Sequence, residues 1–181
     1  MNYHNYFISL EDKLKELSKY VQIDKDNFSV FSVELAHLLM ASCSEFEVVC
    51  KDLCRQIIPN TNVANMLNIS QSLANQLPTM MEEEITLNVY GISLTPLENW
   101  KIGQRLTWWE AYNSVKHNRG VHFKQANLEN VLNALAAVHI ANFYLVWESE
   151  FKGKHPTWAT HALEPNPSLL RLKYPYFVRE W

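Results

Sequence analysis

The chain has 181 residues, of which 48% are hydrophobic, so it can bury a sizeable core without the help of a metal or disulfides. Its 4 glycines and 7 prolines are too few for an all-β chain, which needs many turn-forming residues. With 16 basic and 19 acidic residues the net charge is −3, which excludes a general attraction to nucleic acid or anionic lipid. We therefore expect a mainly all-α fold, and any polyanion would have to bind a local patch.

The cellular location is predicted from what the sequence lacks. The N-terminal residues do not show the basic start and following apolar run that are typical of a secretory signal peptide. No stretch approaches the roughly 18 apolar residues of a membrane span. Cys43, Cys50 and Cys54 fall on one face of a predicted helix, where buried, inert thiols are expected. We predict a cytoplasmic protein with no membrane contact, no metal site and no cofactor.

Apolar spacing predicts three helices in the first half of the chain. Ile8 to Val21 is a short amphipathic helix, and Asn62 to Leu77 is another that ends before a proline. Between them, Ser29 to Ile58 contains no glycine or proline and is stopped by Pro59, so we expect it to be the longest helix. Its apolar residues cover nearly every side, which places this helix at the centre of the core.

The next stretch changes character. Glu82 to Glu84 form an acidic run, for which we expect a solvated loop or helix end. Apolar and polar residues then alternate from Ile85 to Tyr90, and Gly91 interrupts a pattern that resumes at Ile92. We predict a small hairpin or extended excursion near residues 85–95.

Two further helices are predicted to form a helical hairpin. Gln104 to Arg119 is the first, with Gly120 placed where a helix usually ends, and Asn127 to Ser149 is the second. His139 lies among apolar residues of the second helix, so we expect a core histidine that has found a hydrogen-bond partner.

The last segment, Lys152 to Trp181, contains four prolines and is expected to wrap over the helices as an irregular arm. The whole chain, residues 1–181, is predicted to be a single helical domain. Its core spans about residues 29–150, and the arm spans about residues 152–181.

The most unusual stretch is WWEAYNSVKHNRGVHF, residues 108–123. Projected on a helix at about 100° per residue, it has two faces. The polar face consists of Glu110, Asn113, Ser114 and His117. The opposite, apolar face consists of Trp108, Tyr112 and Val115, and these aromatic residues, like Trp109, are expected to fill core more readily than to stack on bases.

Arg119 projects from the apolar face of this predicted helix. A guanidinium that points into a core is costly unless an anion meets it, so something acidic is expected nearby. Glu45 is the best candidate, because it lies among apolar residues of the longest helix. We therefore predict a buried Arg119–Glu45 ion pair.

The region from Lys101 to Lys124 is locally basic, since five cations stand against Glu110 alone. Two interpretations are open. The cations and two nearby histidines form a phosphate site, or the cations of the last helical turn complement the helix dipole by about 0.3 to 1 kcal/mol each.

Two strings, W-W-x-A-Y-N-x-V-K-H-N-R and F-x-x-A-N-L-x-N-V-L-x-A-L-A, resemble a group of bacterial proteins, and the predicted hairpin is similar to that of the HEPN superfamily. The resemblance covers Glu34 to about Trp147. It implies a HEPN-like helical bundle whose two core helices meet those of a second chain in a homodimer. Active HEPN proteins are metal-independent RNases with an arginine, a polar residue and a histidine four to six positions after the arginine. In this chain His122 follows Arg119 after two intervening residues, and His117 precedes it.

For an RNase, this resemblance implies a set of site residues. Cleavage needs a base for the 2′-hydroxyl, an acid for the departing 5′-oxygen and a cation on the phosphate. Histidine suits the first two roles because its ordinary pKa is near neutrality, and arginine binds phosphate in bidentate fashion. The implied catalytic residues are Arg119, His122 and His117, and the implied phosphate-binding residues are Lys116, Asn113 and Arg105.

Three hypotheses of function remain open. The first is a HEPN-like RNA-binding protein or metal-independent endoribonuclease of a bacterial defence or toxin–antitoxin system, with RNA and a protein partner or antitoxin as its ligands. The second is a non-catalytic helical module for dimerisation or protein binding, with Arg119 and Glu45 in a structural ion pair. The third is a small-ligand pocket near Tyr90, Trp100 and the tryptophan pair.

Overall fold

The computed structural model describes residues 3–152, 163 and 166–173. These residues form a mainly helical fold around one hydrophobic core, with a small sheet at its side, which confirms the predicted fold class. The helices are α1 (Tyr3–Leu17), α2 (Val33–Ile57), α3 (Met66–Gln76), α4 (Glu98–Lys101), α5 (Thr107–His117), α6 (Arg119–His122) and α7 (Leu128–Val146). The strands are β1 (Ile85–Leu87), β2 (Ile92–Leu94) and β3 (Arg171–Leu172). Short 3-10 turns occur at Lys25–Asn27, Pro78–Glu82, Asn88–Tyr90 and Phe123–Gln125, and a π-helical turn, Trp147–Phe151, continues α7.

Helix α2 is the longest helix of the described residues and passes through the core, as predicted. The side chain of Ser32 accepts a hydrogen bond from the Leu35 amide at 3.1 Å, which fixes the start of the helix. The helix ends just before Pro59, since the residue preceding a proline disfavours the helical conformation. Val33 and Val48 remain 57% and 42% exposed, so neighbours cover α2 on most sides but not all.

Helices α2 and α7 run in the same direction and begin side by side. The Leu128 amide donates to the Val30 carbonyl at 2.9 Å, and the Glu129 amide donates to the Phe28 carbonyl at 3.2 Å. Because both hydrogen bonds lie at the first turn of α7 and just before α2, the N-terminal ends of the two central helices share one end of the molecule.

The segment Leu128–Phe151 is long and apolar enough, by length and composition, to cross a membrane. Within the protein, however, 78% of its most apolar window is buried. Helix α7 packs against α1, α2 and α5, so burial in the core accounts for its apolar character.

The predicted hairpin near residues 85–95 is present. Strands β1 and β2 pair antiparallel, with Ile85 opposite Leu94, and Gly91 at φ 63° supplies the left-handed residue of the turn. Strand β3, which the sequence did not predict, pairs antiparallel with the other edge of β1. The sheet therefore ties a segment near the end of the chain to its middle.

The described part of the C-terminal segment is also fastened to α1. The carboxylate of Glu11 is fully buried and accepts hydrogen bonds from the amides of Ser168, Leu169 and Leu170, each at 2.9 Å. The rest of the predicted arm, residues 153–162, 164–165 and 174–181, lies outside the described residues.

The acidic run lies at the end of the 3-10 turn Pro78–Glu82, one of the two predicted places, but Glu83 is not solvated. Glu83 is only 1% exposed, and the Tyr144 hydroxyl donates a hydrogen bond to its carboxylate at 2.7 Å. Glu84 pairs with Lys173 at 3.0 Å, and Glu82 pairs with a lysine of α4. The prediction is wrong for Glu83 because its buried partner lies on α7, 61 residues along the chain.

Several smaller predictions have clear outcomes. Cys43, Cys50 and Cys54 are buried free thiols, and burial raises the pKa of each one, so they are unreactive as expected. Helix α1 begins at Tyr3, earlier than the predicted Ile8.

Candidate nucleic-acid interface

Helix α5 carries the unusual stretch, and its apolar face packs into the core as predicted. Trp108 is 2% exposed, and its indole Nε1 donates to the Pro96 carbonyl at 2.9 Å. Its ring centroid lies 5.1 Å from that of Phe46 on α2. Tyr112 and Val115 are also buried, so this face holds α5 in place.

The backbone breaks at Asn118, which has φ −145° and ψ 68°. Helix α5 ends one residue earlier, and α6 begins at Arg119, with the Val121 and His122 amides donating to the Asn118 carbonyl at 3.2 and 3.0 Å. Gly120 lies inside α6 without a positive φ. The predicted helix end at Gly120 is therefore wrong, and Asn118 is the residue that ends the helix.

This break changes the surroundings of Arg119. Its side chain is exposed, and it has no ion-pair partner in the described part of the chain. Glu45 is 7% exposed, its buried Oε1 atom forms no hydrogen bond, and burial raises the pKa of its carboxyl group. The predicted buried Arg119–Glu45 ion pair is wrong, because the projection assumed a helix that continued through Asn118.

We define the basic tip as five residues at the end of α5, in α6 and in the turn after it. They are Lys116, His117, Arg119, His122 and Lys124. His122 is half-buried and the other four are exposed. None of the five forms an ion pair within residues 3–152, although the Lys116 Nζ atom lies 5.3 Å from the centroid of the Tyr112 ring. The sequence placed these residues close together along the chain, but it did not predict that Arg119 would face solvent.

The basic tip lies at the end of the molecule where α2 and α7 begin. The ring of Phe123, within the tip's turn, meets that of Phe31 just before α2, with centroids 5.7 Å apart. Helix N-termini carry a partial positive charge, which adds to the attraction of anions within the first turn. Glu34 and Glu129 lie in these two first turns and offset part of it.

Two of the predicted phosphate-binding residues lie away from the tip. Arg105 and Asn113 line a cleft between the start of α3 and α5, which we call the α3–α5 cleft and which has a volume of about 430 Å³. Arg105 is paired with Glu110 at 3.4 Å, so its charge is already matched. The cleft is lined by Asn65, Met66, Leu67, Ser70, Trp100, Gly103, Gln104, Arg105, Leu106, Trp109, Glu110, Asn113 and Ser114.

The sequence analysis did not distinguish the environment of Trp109 from that of Trp108. Trp108 is core, as expected, whereas Trp109 is half-buried and lines the cleft. A signal was present, because Trp109, Asn113 and His117 are spaced by four residues and so share the polar face of α5. Of the residues in the small-ligand hypothesis, Trp100 and Trp109 line this cleft, and Tyr90 does not.

His139 is a core histidine, as predicted. It is 4% exposed and stacks on Phe7, with ring centroids 4.9 Å apart. The predicted hydrogen bond is not found at its Nδ1 atom, and burial, which disfavours the charged ring, lowers its pKa to about 3. His139 is therefore neutral and makes no contribution to the basic tip.

Comparisons with known proteins do not identify a relative. A scan against protein-family models, a search of curated proteins and a search of solved structures each gave no match. The resemblance to the HEPN superfamily therefore stays a prediction.

Proposed function

We propose that the basic tip binds the phosphate backbone of RNA. The observation that carries this proposal is that Lys116, Arg119 and Lys124 are exposed and form no ion pair within the described residues, in a chain whose net charge is −3. Arginine and lysine at a nucleic-acid interface neutralise phosphates and release counterions, and this gives most of the affinity.

The surroundings of the tip favour a flexible polyanion. The two helix N-termini behind it extend the positive potential, and Arg119 can bind a phosphate with two parallel hydrogen bonds. Four of the five tip residues are exposed and they follow one another along the chain from α5 to α7, so an extended chain of phosphates can contact several of them at once.

Metal-independent RNA cleavage at the same tip is the second candidate function. His117 and His122 lie on either side of Arg119 in the sequence, in two helices that meet at Asn118. One neutral imidazole would take the proton from a 2′-hydroxyl, whose oxygen then attacks the adjacent phosphorus. The other, protonated, would give its proton to the departing 5′-oxygen, which leaves a 2′,3′-cyclic phosphate and a 5′-hydroxyl. Arg119 would stabilise the added negative charge.

The first experiment measures binding of a dye-labelled single-stranded RNA by fluorescence anisotropy. The triple variant Lys116→Ala, Arg119→Ala, Lys124→Ala is expected to weaken binding about tenfold or more at low salt, because three phosphate contacts are lost. Equal affinity of the variant and the unmodified protein would remove the proposal.

A matched control variant loses the same number of positive charges at a different place in the protein. Lys51, Arg55 and Lys152 are each paired with an acidic residue at the opposite end of α2 and α7. Replacing all three with alanine should leave RNA affinity nearly unchanged. The same proteins, incubated with RNA in the presence of a chelator, test cleavage, and cleavage that persists in Arg119→Ala would exclude the second candidate.

We also propose that two copies of the chain associate next to the tip. Three apolar residues near it are exposed, namely Phe31 at 41%, Val33 at 57% and Val121 at 70%. Exposed apolar residues that lie together often mark an interaction surface. Light scattering of the protein and of Val121→Glu tests this, with a dimer expected for the first and a monomer for the second. A monomeric unmodified protein would exclude the homodimer.

A further inference from the structure

We infer that the α3–α5 cleft holds an unpaired base of single-stranded RNA whose phosphates contact the basic tip. The inference rests on the proposed function, which supplies the RNA backbone, and it adds a second subsite with a different chemistry. Arg105 and Asn113 of the predicted phosphate-binding set line the cleft, whereas the predicted catalytic residues Arg119, His117 and His122 do not.

The cleft has the size and the aromatic wall that a base requires. Its volume of about 430 Å³ lies within the range of about 300 to 1,000 Å³ that is typical of small-ligand pockets. The Trp109 ring packs against the rings of Tyr112 and Phe46, with ring centroids 5.0 and 6.2 Å away. A ring that is already fixed by packing loses little freedom when a base stacks on it.

Polar side chains that form no hydrogen bond within the described residues line the same cleft. The side chains of Gln104, Asn113 and Ser114 line the cleft and form no hydrogen bond within the described residues. By contrast, Asn65 and Ser70 on the α3 side are occupied, since they bond the backbone of Asn68 and Leu67. Amide and hydroxyl groups can both donate and accept, so the three spare groups match the mixed hydrogen-bonding edge of a base.

The charges favour a neutral base in the cleft over a phosphate. Among the described residues, Arg105 is the one cation that lines the cleft; it is paired with Glu110 at 3.4 Å, and both side chains are exposed. A phosphate placed there would meet a carboxylate and a shared guanidinium. Lys116, Arg119 and Lys124 of the basic tip form no ion pair within the described residues, so base and phosphate have separate places.

One face of helix α5 runs from the α3–α5 cleft to the basic tip. Trp109, Asn113 and His117 are spaced by four residues, which aligns them along the helix. At 1.5 Å per residue, Trp109 and His117 are about 12 Å apart along the axis. A strand of a few nucleotides spans this distance, with a base on Trp109 and its phosphates at the tip.

The test compares two short RNA strands of equal length, an oligoadenylate and the same strand without bases. The unmodified protein is expected to bind the oligoadenylate about 5- to 100-fold more tightly, as one stacked base allows. Asn113→Ala and Trp109→Leu should reduce this preference at least severalfold and leave binding of the strand without bases unchanged. Asn75→Ala, on the part of α3 outside the cleft, should keep the full preference.

The outcomes separate this inference from the proposed function. Equal binding of both strands by the unmodified protein overturns the cleft as a base site while binding at the tip stands. A preference that survives in Asn113→Ala and Trp109→Leu also overturns the cleft. Binding of neither strand overturns the proposed function together with the inference. Because Trp109 packs against core residues, thermal unfolding is measured for each variant, and Asn113→Ala decides the matter if Trp109→Leu does not fold.

Discussion

The buried carboxylate of Glu11 and the guanidinium of Arg119 show two opposite uses of charge in one molecule. Glu11 is fully buried, and backbone amides of Ser168, Leu169 and Leu170 hold both its oxygens. Arg119 is exposed and has no acidic partner among the described residues. A charge whose hydrogen bonds are all made within the protein serves its structure, and a charge left in solvent is available to a ligand. The two side chains therefore predict opposite responses to substitution.

The largest expected effect is on stability at Glu11. Replacing it with alanine leaves three amides of the C-terminal segment without their acceptor, so Glu11→Ala should lower the free energy of unfolding by about 3 to 5 kcal/mol. Urea denaturation measures this change. Asp12→Ala, which removes an exposed neighbour paired only with Lys15, should cost less than about 1 kcal/mol. Similar losses for the two variants would contradict a structural role for Glu11.

Glu45 gives a smaller effect of opposite sign. Burial raises the pKa of this carboxyl group above its ordinary value of 4.5, and among the described residues no cation pairs with it to offset that cost. The folded protein tolerates the neutral carboxyl group better than the charged one. The contribution of Glu45 to the free energy of unfolding is therefore most favourable below pH 4.5 and is lost as pH rises through the folded-state pKa. Glu45→Gln should therefore raise the melting temperature at pH 7 and leave it nearly unchanged at pH 4.

The Glu45 variant also distinguishes the two accounts of Arg119. In a buried Arg119–Glu45 pair, glutamine at position 45 would leave a guanidinium uncompensated and lower the melting temperature at pH 7. Thermal denaturation followed by circular dichroism at the two pH values measures the sign. A lower melting temperature of Glu45→Gln at pH 7 would support the buried Arg119–Glu45 ion pair and contradict the structure.

The smallest effect on stability is expected at Arg119 itself. Because the side chain makes no ion pair in the described residues and faces solvent, Arg119→Ala should shift the melting temperature by less than about 2 °C. Differential scanning calorimetry checks this. A large loss of stability would show that Arg119 belongs with Glu11 among the structural charges.

Local patterns in the sequence predict much of the fold. The end of α2 follows from Pro59, although the helix begins at Val33 and not at the predicted Ser29, and the hairpin follows from alternation interrupted by Gly91. Long-range pairings carry no such local signal. Neither the partners of Glu11 nor those of β1 across more than 80 residues could be predicted from single positions.

The sequence indicated which residues of α5 and α6 to consider, but it did not predict which way the side chain of Arg119 points. The projection of α5 correctly buried Trp108 and Tyr112, because a continuous helix supports it. It failed for Arg119, because one non-helical residue, Asn118, redirects everything that follows. Asparagine favours turns and helix ends, so Asn118 followed closely by Gly120 was the available signal.

The salt dependence of RNA binding tests most directly whether the charges of the basic tip are available to phosphate. The logarithm of the association constant is measured against the logarithm of salt concentration for the unmodified protein, Arg119→Ala and Arg55→Ala. Each phosphate contact contributes about 0.7 to the slope for a single strand. We predict a slope that is shallower by about that amount in Arg119→Ala and unchanged in Arg55→Ala. Equal slopes for all three proteins, or no binding by the unmodified protein, would contradict the account.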